Sequence, residues 1–144
     1  MIFFHSGHIV TDIEQSCAEL TAALGVRWSP IQDRELGEWR SRIAFSVDGP
    51  PYLEIIQGSP GSPWDAEAFG DQLHHIGYWS DDVAADGARL IAAGMPVILD
   101  GAAWGRSTTI HMAPHSGTRL ELLDVVHHPA MCEAYGVDFI IPGA

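Results

Sequence analysis

The sequence predicts an α+β fold: two βαβββ modules that form a cupped mixed β-sheet with helices on the outer face. Three observations predict it. The order strand, helix, strands occurs twice along the chain. Each helical pattern opens on aspartate and closes on glycine. A Gly/Ser/Pro run, Gly58-Ser-Pro-Gly-Ser-Pro63, separates the two occurrences. A helix followed by strands covers one face of a sheet and leaves the other open, which makes a cup.

Residues 3–10 are apolar enough for a strand. Asp12 then caps a helix in which Ile13, Cys17, Leu20 and Leu24 recur at helical spacing, with Gln15 as capping-box partner and Gly25 as the stop. The polar stretch from Trp28 to Trp39 marks a second strand only poorly. Strand patterns follow at 42–47 and 51–57, joined by Asp48-Gly49-Pro50. After the connector, residues 73–79 read as a strand, and Asp81-Asp82 cap a helix carrying Val83, Leu90 and Ile91 up to Gly94. Strands at 96–99, 108–112 and 118–125 complete the set, the last two joined by a turn at 114–117. The expected organisation is one domain over 1–144: module one at 1–57, linker at 58–72, module two at 73–126 and a tail at 127–144. The tail, with Phe139-Ile-Ile-Pro, is too apolar to stand free in water and is expected to pack on the domain or on a second subunit.

Composition narrows the function. The chain has 144 residues, 47% of them hydrophobic, and seven basic residues against 19 acidic ones leave a net charge of −12. That surface repels phosphate backbones and anionic lipid, so neither nucleic acid nor membrane is an expected partner. No apolar run approaches the roughly 20 residues of a bilayer span, and the start MIFFHSGHIV has no basic export signal. Cys17 and Cys132 are two and far apart, which favours free thiols and a cytoplasmic location. The expected partners are a small-molecule substrate and a second copy of the chain, as a homodimer.

The repeat also aligns on chemistry. His5 precedes Asp12 by seven residues (12 − 5), and His75 precedes Asp82 by seven (82 − 75). Tyr52-Leu-Glu54 matches Arg119-Leu-Glu121, at 49 and 46 residues after the two histidines (54 − 5 and 121 − 75). Each module thus supplies an imidazole from its first strand and a carboxylate from its last. A lone carboxylate inside an apolar strand is costly unless paired or metal-bound. Two imidazoles with two carboxylates suit one divalent ion, of Zn, Co, Ni, Mn or Fe. Strand alternation puts His5, Gly7 and Ile9 on one face and His8 on the other. By the same rule His75, Gly77 and Trp79 share a face, with His74 opposite as a packing residue. Tyr52, Ile56, Gly77 and Trp79, on the ligand faces, are expected to meet a partly apolar substrate. His127 and His128 are expected to be exposed, His111 and His115 ordinary, and Cys17 a packed thiol.

At these residues the sequence resembles the vicinal oxygen chelate (glyoxalase/bleomycin resistance/dioxygenase) superfamily over about residues 3–125. His5…Asp12, Leu-Glu54-Ile, His74-His75-Ile-Gly…Asp82 and Leu-Glu121-Leu-Leu carry the likeness. The resemblance implies paired βαβββ modules around one metal, held by His5, Glu54, His75 and Glu121. It further implies chelation of substrate oxygens, with Glu54 and Glu121 as catalytic carboxylates in proton abstraction by an isomerase, epimerase or lyase. Glyoxalase I has the same four ligands, but its glutathione-holding arginine and asparagine correspond here to Ile9 and Gly58. The Asp-Ile-Glu helix start and His-His-Ile-Gly look more like the methylmalonyl-CoA epimerase-like branch. That branch usually has glutamine in place of Glu54, and its further catalytic glutamate falls near Glu35 and Glu38. Arg27, Arg34, Arg40 and Arg42 are the candidates to meet CoA phosphates. Glyoxalase I-type chemistry and non-catalytic binding of the bleomycin-resistance type stand as alternatives.

Overall fold

The computed structural model describes residues 1–143. In chain order the elements are β1 (Ile2–Ile9), α1 (Ile13–Leu24), β2 (Gln32–Leu36), β3 (Trp39–Phe45), β4 (Tyr52–Gly58), α2 (Ala66–Phe69), β5 (Gln72–Ser80), α3 (Val83–Ala92), β6 (Val97–Asp100), β7 (Thr108–Met112), β8 (Arg119–Asp124) and α4 (His128–Tyr135). The eight strands form one mixed sheet in the order β2-β3-β4-β1-β5-β8-β7-β6. β1 runs parallel to β4 and β5 parallel to β8, so each module repeats the other's strand order. The modules join where β1 and β5 pair antiparallel. Both halves of the cup therefore come from one chain.

Local sequence explains the element ends. The Asp12 carboxylate accepts from the Gln15 amide at 2.9 Å, and Asp82 does the same for Ala85 at 2.9 Å, satisfying amides a helix start leaves bare. Gly25 ends α1 at φ 71°, in the left-handed region. The Gln15 side chain does not complete a capping box; its amide donates along the helix to Glu19. The weakly marked strand is β2, a charged edge strand ending in a two-residue turn at Gly37-Glu38, with Gly37 at φ 59°. That turn pairs Leu36 with Trp39, so β3 begins at Trp39 and not near residue 42.

α1 lies on the outer face, where Ile13 and Cys17 pack against Ala44 and Ile55. Burial pushes the Cys17 thiol up to about 11, as befits an inert packed group. α3 covers β7 and β8, with Gly87 passing close over the buried His111 ring.

The ends of the trough are closed by segments outside the repeat. The tail folds back as α4 and an extended stretch, setting Tyr135, Val137 and Phe139 against Phe4, Phe45, Tyr52 and Trp79. At the other end Trp64 and Ala66 of the linker pack on Ile9 and Ile56. Ile9 and Trp79 hold equivalent places, each four residues after a first-strand histidine (9 − 5 and 79 − 75). Linker and tail thus do one job at two symmetry-related positions.

Candidate metal centre

Two irregularities in the central strand pair aim the histidines. Phe3 pairs with Tyr78 and His5 with Gly77, so Phe4 is an extra residue; Gly7 pairs with His75 and His8 with Leu73, so His74 is another. A bulge of this kind turns consecutive side chains toward the same side. Phe4 therefore packs beside His5, with ring centroids 4.7 Å apart, and His74 beside His75 at 5.3 Å. This corrects the expectation that His74 faces away. Its Nδ1 sits 3.0 Å from Nδ1 of His75, and burial followed by the neighbouring His75 pushes its pKa down to about 4.

The four expected ligands converge. Nε2 of His5 and Nε2 of His75 lie 3.0 Å apart. Glu54 Oε2 is 3.1 Å from the first and 3.2 Å from the second; Glu121 Oε2 is 3.4 and 3.5 Å away. β4 and β8 flank the central pair, so the carboxylates approach from either side of the imidazoles. Burial disfavours charge on every member, yet opposite charges at this range prevail. Glu54 and Glu121 raise His5, and Glu121 with Glu54 raises His75 to about 10. His5 and His75 hold Glu54 down at about 2 and keep Glu121 below the usual carboxylate range.

Hydrogen bonding does not satisfy this cluster. Glu54 Oε2 is buried without a hydrogen-bond partner. Glu121 receives only a long bond from Thr108 Oγ1, at 3.4 Å. Two imidazole nitrogens and two carboxylate oxygens gathered around one buried point fit a cation. Donor atoms of His5, His75 and Glu121 lie within 4.8 Å of one another, and Glu54 completes an N2O2 set that a divalent ion accepts.

A cavity of about 320 Å³ opens above the cluster. Ile56 lines it as expected; Tyr52 and Trp79 do not. Both stand on the ligand face, but the tail seals them in. Each is 1% exposed, and the Tyr52 hydroxyl accepts from the Ile140 amide at 2.9 Å. Gly77 lies beneath the His5 ring and not on the wall: a Cβ there would come within 2.1 Å of that ring. The wall instead includes Trp39, Ile43, Phe45 and Trp64, with Arg34 and Arg106 among its polar members. His127, expected to be exposed, also lines the cavity, and its Nε2 is buried and unpartnered. It follows β8 in a turn, so strand alternation says nothing about its direction. His128 is tied down, donating from Nε2 to the Phe139 carbonyl at 2.6 Å.

A family profile described as the glyoxalase/bleomycin resistance protein/dioxygenase superfamily matches residues 4–113. The chain belongs to that superfamily. No curated protein matches the sequence. Among solved structures, this superfamily member is similar to a Streptomyces coelicolor methylmalonyl-CoA epimerase variant in complex with 2-nitronate-propionyl-CoA, at 21% identity and TM-score 0.63, covering 86% of this chain and 96% of that one. A hypothetical protein from Bacillus halodurans aligns at 21% identity and TM-score 0.67, over 85% and 92%. The methylmalonyl-CoA epimerase of Mycobacterium tuberculosis follows at 18% and 0.58, over 85% and 87%. At such identities the likeness concerns the fold.

Proposed function

We propose that this superfamily member is a metal-dependent enzyme that abstracts a proton next to a carbonyl of a small, partly apolar substrate, as an isomerase, epimerase or lyase. His5, Glu54, His75 and Glu121 hold one divalent ion, of Zn, Co, Ni, Mn or Fe. When bound, such an ion draws charge from chelated carbonyl oxygens and so acidifies the neighbouring carbon. The convergence of two imidazole nitrogens and two carboxylates, with Glu54 Oε2 lacking any hydrogen-bond partner, carries the reading.

The residues divide the remaining work. His5 and His75 are fixed by their bulges. The two glutamates flank them and serve as catalytic bases, one taking a proton from one face of the substrate carbon and the other returning it to the opposite face. Ile56, with Phe45, Ile43 and Trp64, keeps water from the carbanion-like centre. Epimerase neighbours of the same fold agree with this chemistry without fixing the substrate. The test measures metal content in wild type, Glu54→Gln and Glu121→Gln, with solvent deuterium uptake into 2-substituted thioesters and ketones. One metal per chain in wild type, loss in both variants and metal-dependent deuterium uptake are expected. Full metal content in both variants would overturn the ligand assignment.

A further inference from the structure

We propose that the substrate carries a second anionic group, a carboxylate or a phosphoryl, and that Arg34 and Arg106 receive it at the cavity wall away from the metal ligands. The inference deepens the reading above and rests on it for the chelating end of the substrate.

The argument starts from scarcity. The chain has seven arginines and no lysine against 19 carboxylate side chains. In so acidic a protein a cation readily finds a partner, and four do: Arg27 pairs with Asp48, Arg40 with Glu35, Arg42 with Glu14 and Arg89 with Asp86. Among the described residues, Arg34, Arg106 and Arg119 have no carboxylate within salt-bridge distance. Arg34 and Arg106 are the two that line the cavity, one from each module. Arg27, Arg40 and Arg42 are the candidate phosphate contacts already paired with carboxylates at the exposed surface. Glu35, the cavity carboxylate outside the metal quartet, is engaged with Arg40 at 3.4 Å.

Arg34 is held in place from one side only. Its Nε donates to the Tyr135 hydroxyl at 3.4 Å, and its guanidinium carbon lies 5.1 Å from the centre of that ring. The terminal nitrogens, which form the fork that grips a carboxylate or phosphate, have no acceptor among the described residues. Arg106 makes no side-chain hydrogen bond there either. The rest of the lining is largely apolar. The cavity thus asks for chelating oxygens at one end, an apolar body and an anion at the arginines. Its volume of about 320 Å³ suits a small molecule.

The test is a tryptophan-fluorescence titration, since Trp39 and Trp64 stand in the wall. The probes are 2-oxoglutarate and 2-oxoadipate, the matching monocarboxylates 2-oxopentanoate and 2-oxohexanoate, and 2-oxo-4-phosphonobutanoate. Wild type, Arg34→Gln, Arg106→Gln and the control Arg119→Gln are compared, each metal-loaded and metal-free. The doubly anionic probes should bind wild type about tenfold tighter than the monocarboxylates, as a charge-assisted fork grip implies. That preference should shrink in the Arg34 and Arg106 variants and persist in Arg119→Gln; the tighter of carboxylate and phosphonate names the anion. Equal affinities, no binding by any probe, or a preference unchanged in both cavity variants would sink the proposal. The metal reading is judged separately by the metal content of the glutamate variants. An arginine-dependent preference in metal-free protein would uphold this inference even where that reading fails.

Discussion

His5 and His75 keep their places because the residues facing them across the central strand pair have no side chains. His5 pairs with Gly77 and His75 with Gly7. A Cβ on Gly77 would fall 2.1 Å from the His5 ring, and one on Gly7 would fall 2.2 Å from the His75 ring. Either methyl must push an imidazole off the common centre, so Gly77→Ala should lower metal affinity at least about tenfold. Overpacking of this kind costs about 1–3 kcal/mol, which leaves the fold standing. Isothermal titration of a divalent metal alongside circular dichroism checks both halves; unchanged affinity refutes the steric account. The recurring His-x-Gly was legible as a shared face, but the reciprocal pairing was not, because register between distant strands is set by the assembled sheet. The buried histidine–glutamate quartet also fixes a pH dependence. In metal-free protein the raised His75 stabilises most fully below the ordinary histidine pKa of 6.5, a contribution lost as pH rises through about 10. The lowered Glu54 contributes above the ordinary 4.5, a contribution lost as pH falls through about 2. Metal binding must displace the histidine protons, so it strengthens as pH rises. The Tm gap between metal-loaded and metal-free protein should therefore widen from about pH 6 to pH 8, as scanning calorimetry would read. A gap that narrows over that range contradicts proton–metal competition.

Elements outside the repeat decide the shape of the cup. Alternation correctly put Tyr52 and Trp79 on the ligand face, yet the tail turns that end of the trough into core. Phe139 is the keystone: it is 1% exposed and meets Phe4, Phe45 and Tyr52 with centroids 5.1, 5.2 and 5.0 Å away. The apolar character of the tail told that it packs; where it packs depends on strands distant in sequence, beyond any local pattern. The same limit hid the bulges. Period-two reading assumes regular pairing, and the extra residue His74 instead turns to the side of His75. Phe139→Ala should destabilise the protein by about 3–5 kcal/mol, the usual cost of deleting a buried aromatic ring. Urea denaturation measures it, and a loss below about 1 kcal/mol would mean that the tail only rests on the cup.

At the scale of the whole molecule, the proposed metal site belongs to the joined modules and to neither alone. β1 and β5 pair within one chain, and each module brings one histidine and one glutamate to the centre. Neither module alone offers more than half of the donor set, so disrupting either should abolish binding and not halve it. The four donors stand together within one chain, so the set requires none from a second. A homodimer, expected from the sequence, would then form independently of the metal. Native mass spectrometry across a hundredfold dilution should read one divalent ion per chain at every concentration, whether the chains are paired or single. One ion per two chains, or loss of metal in step with dissociation, would show that the centre is shared between subunits and that the intrachain quartet is not its source.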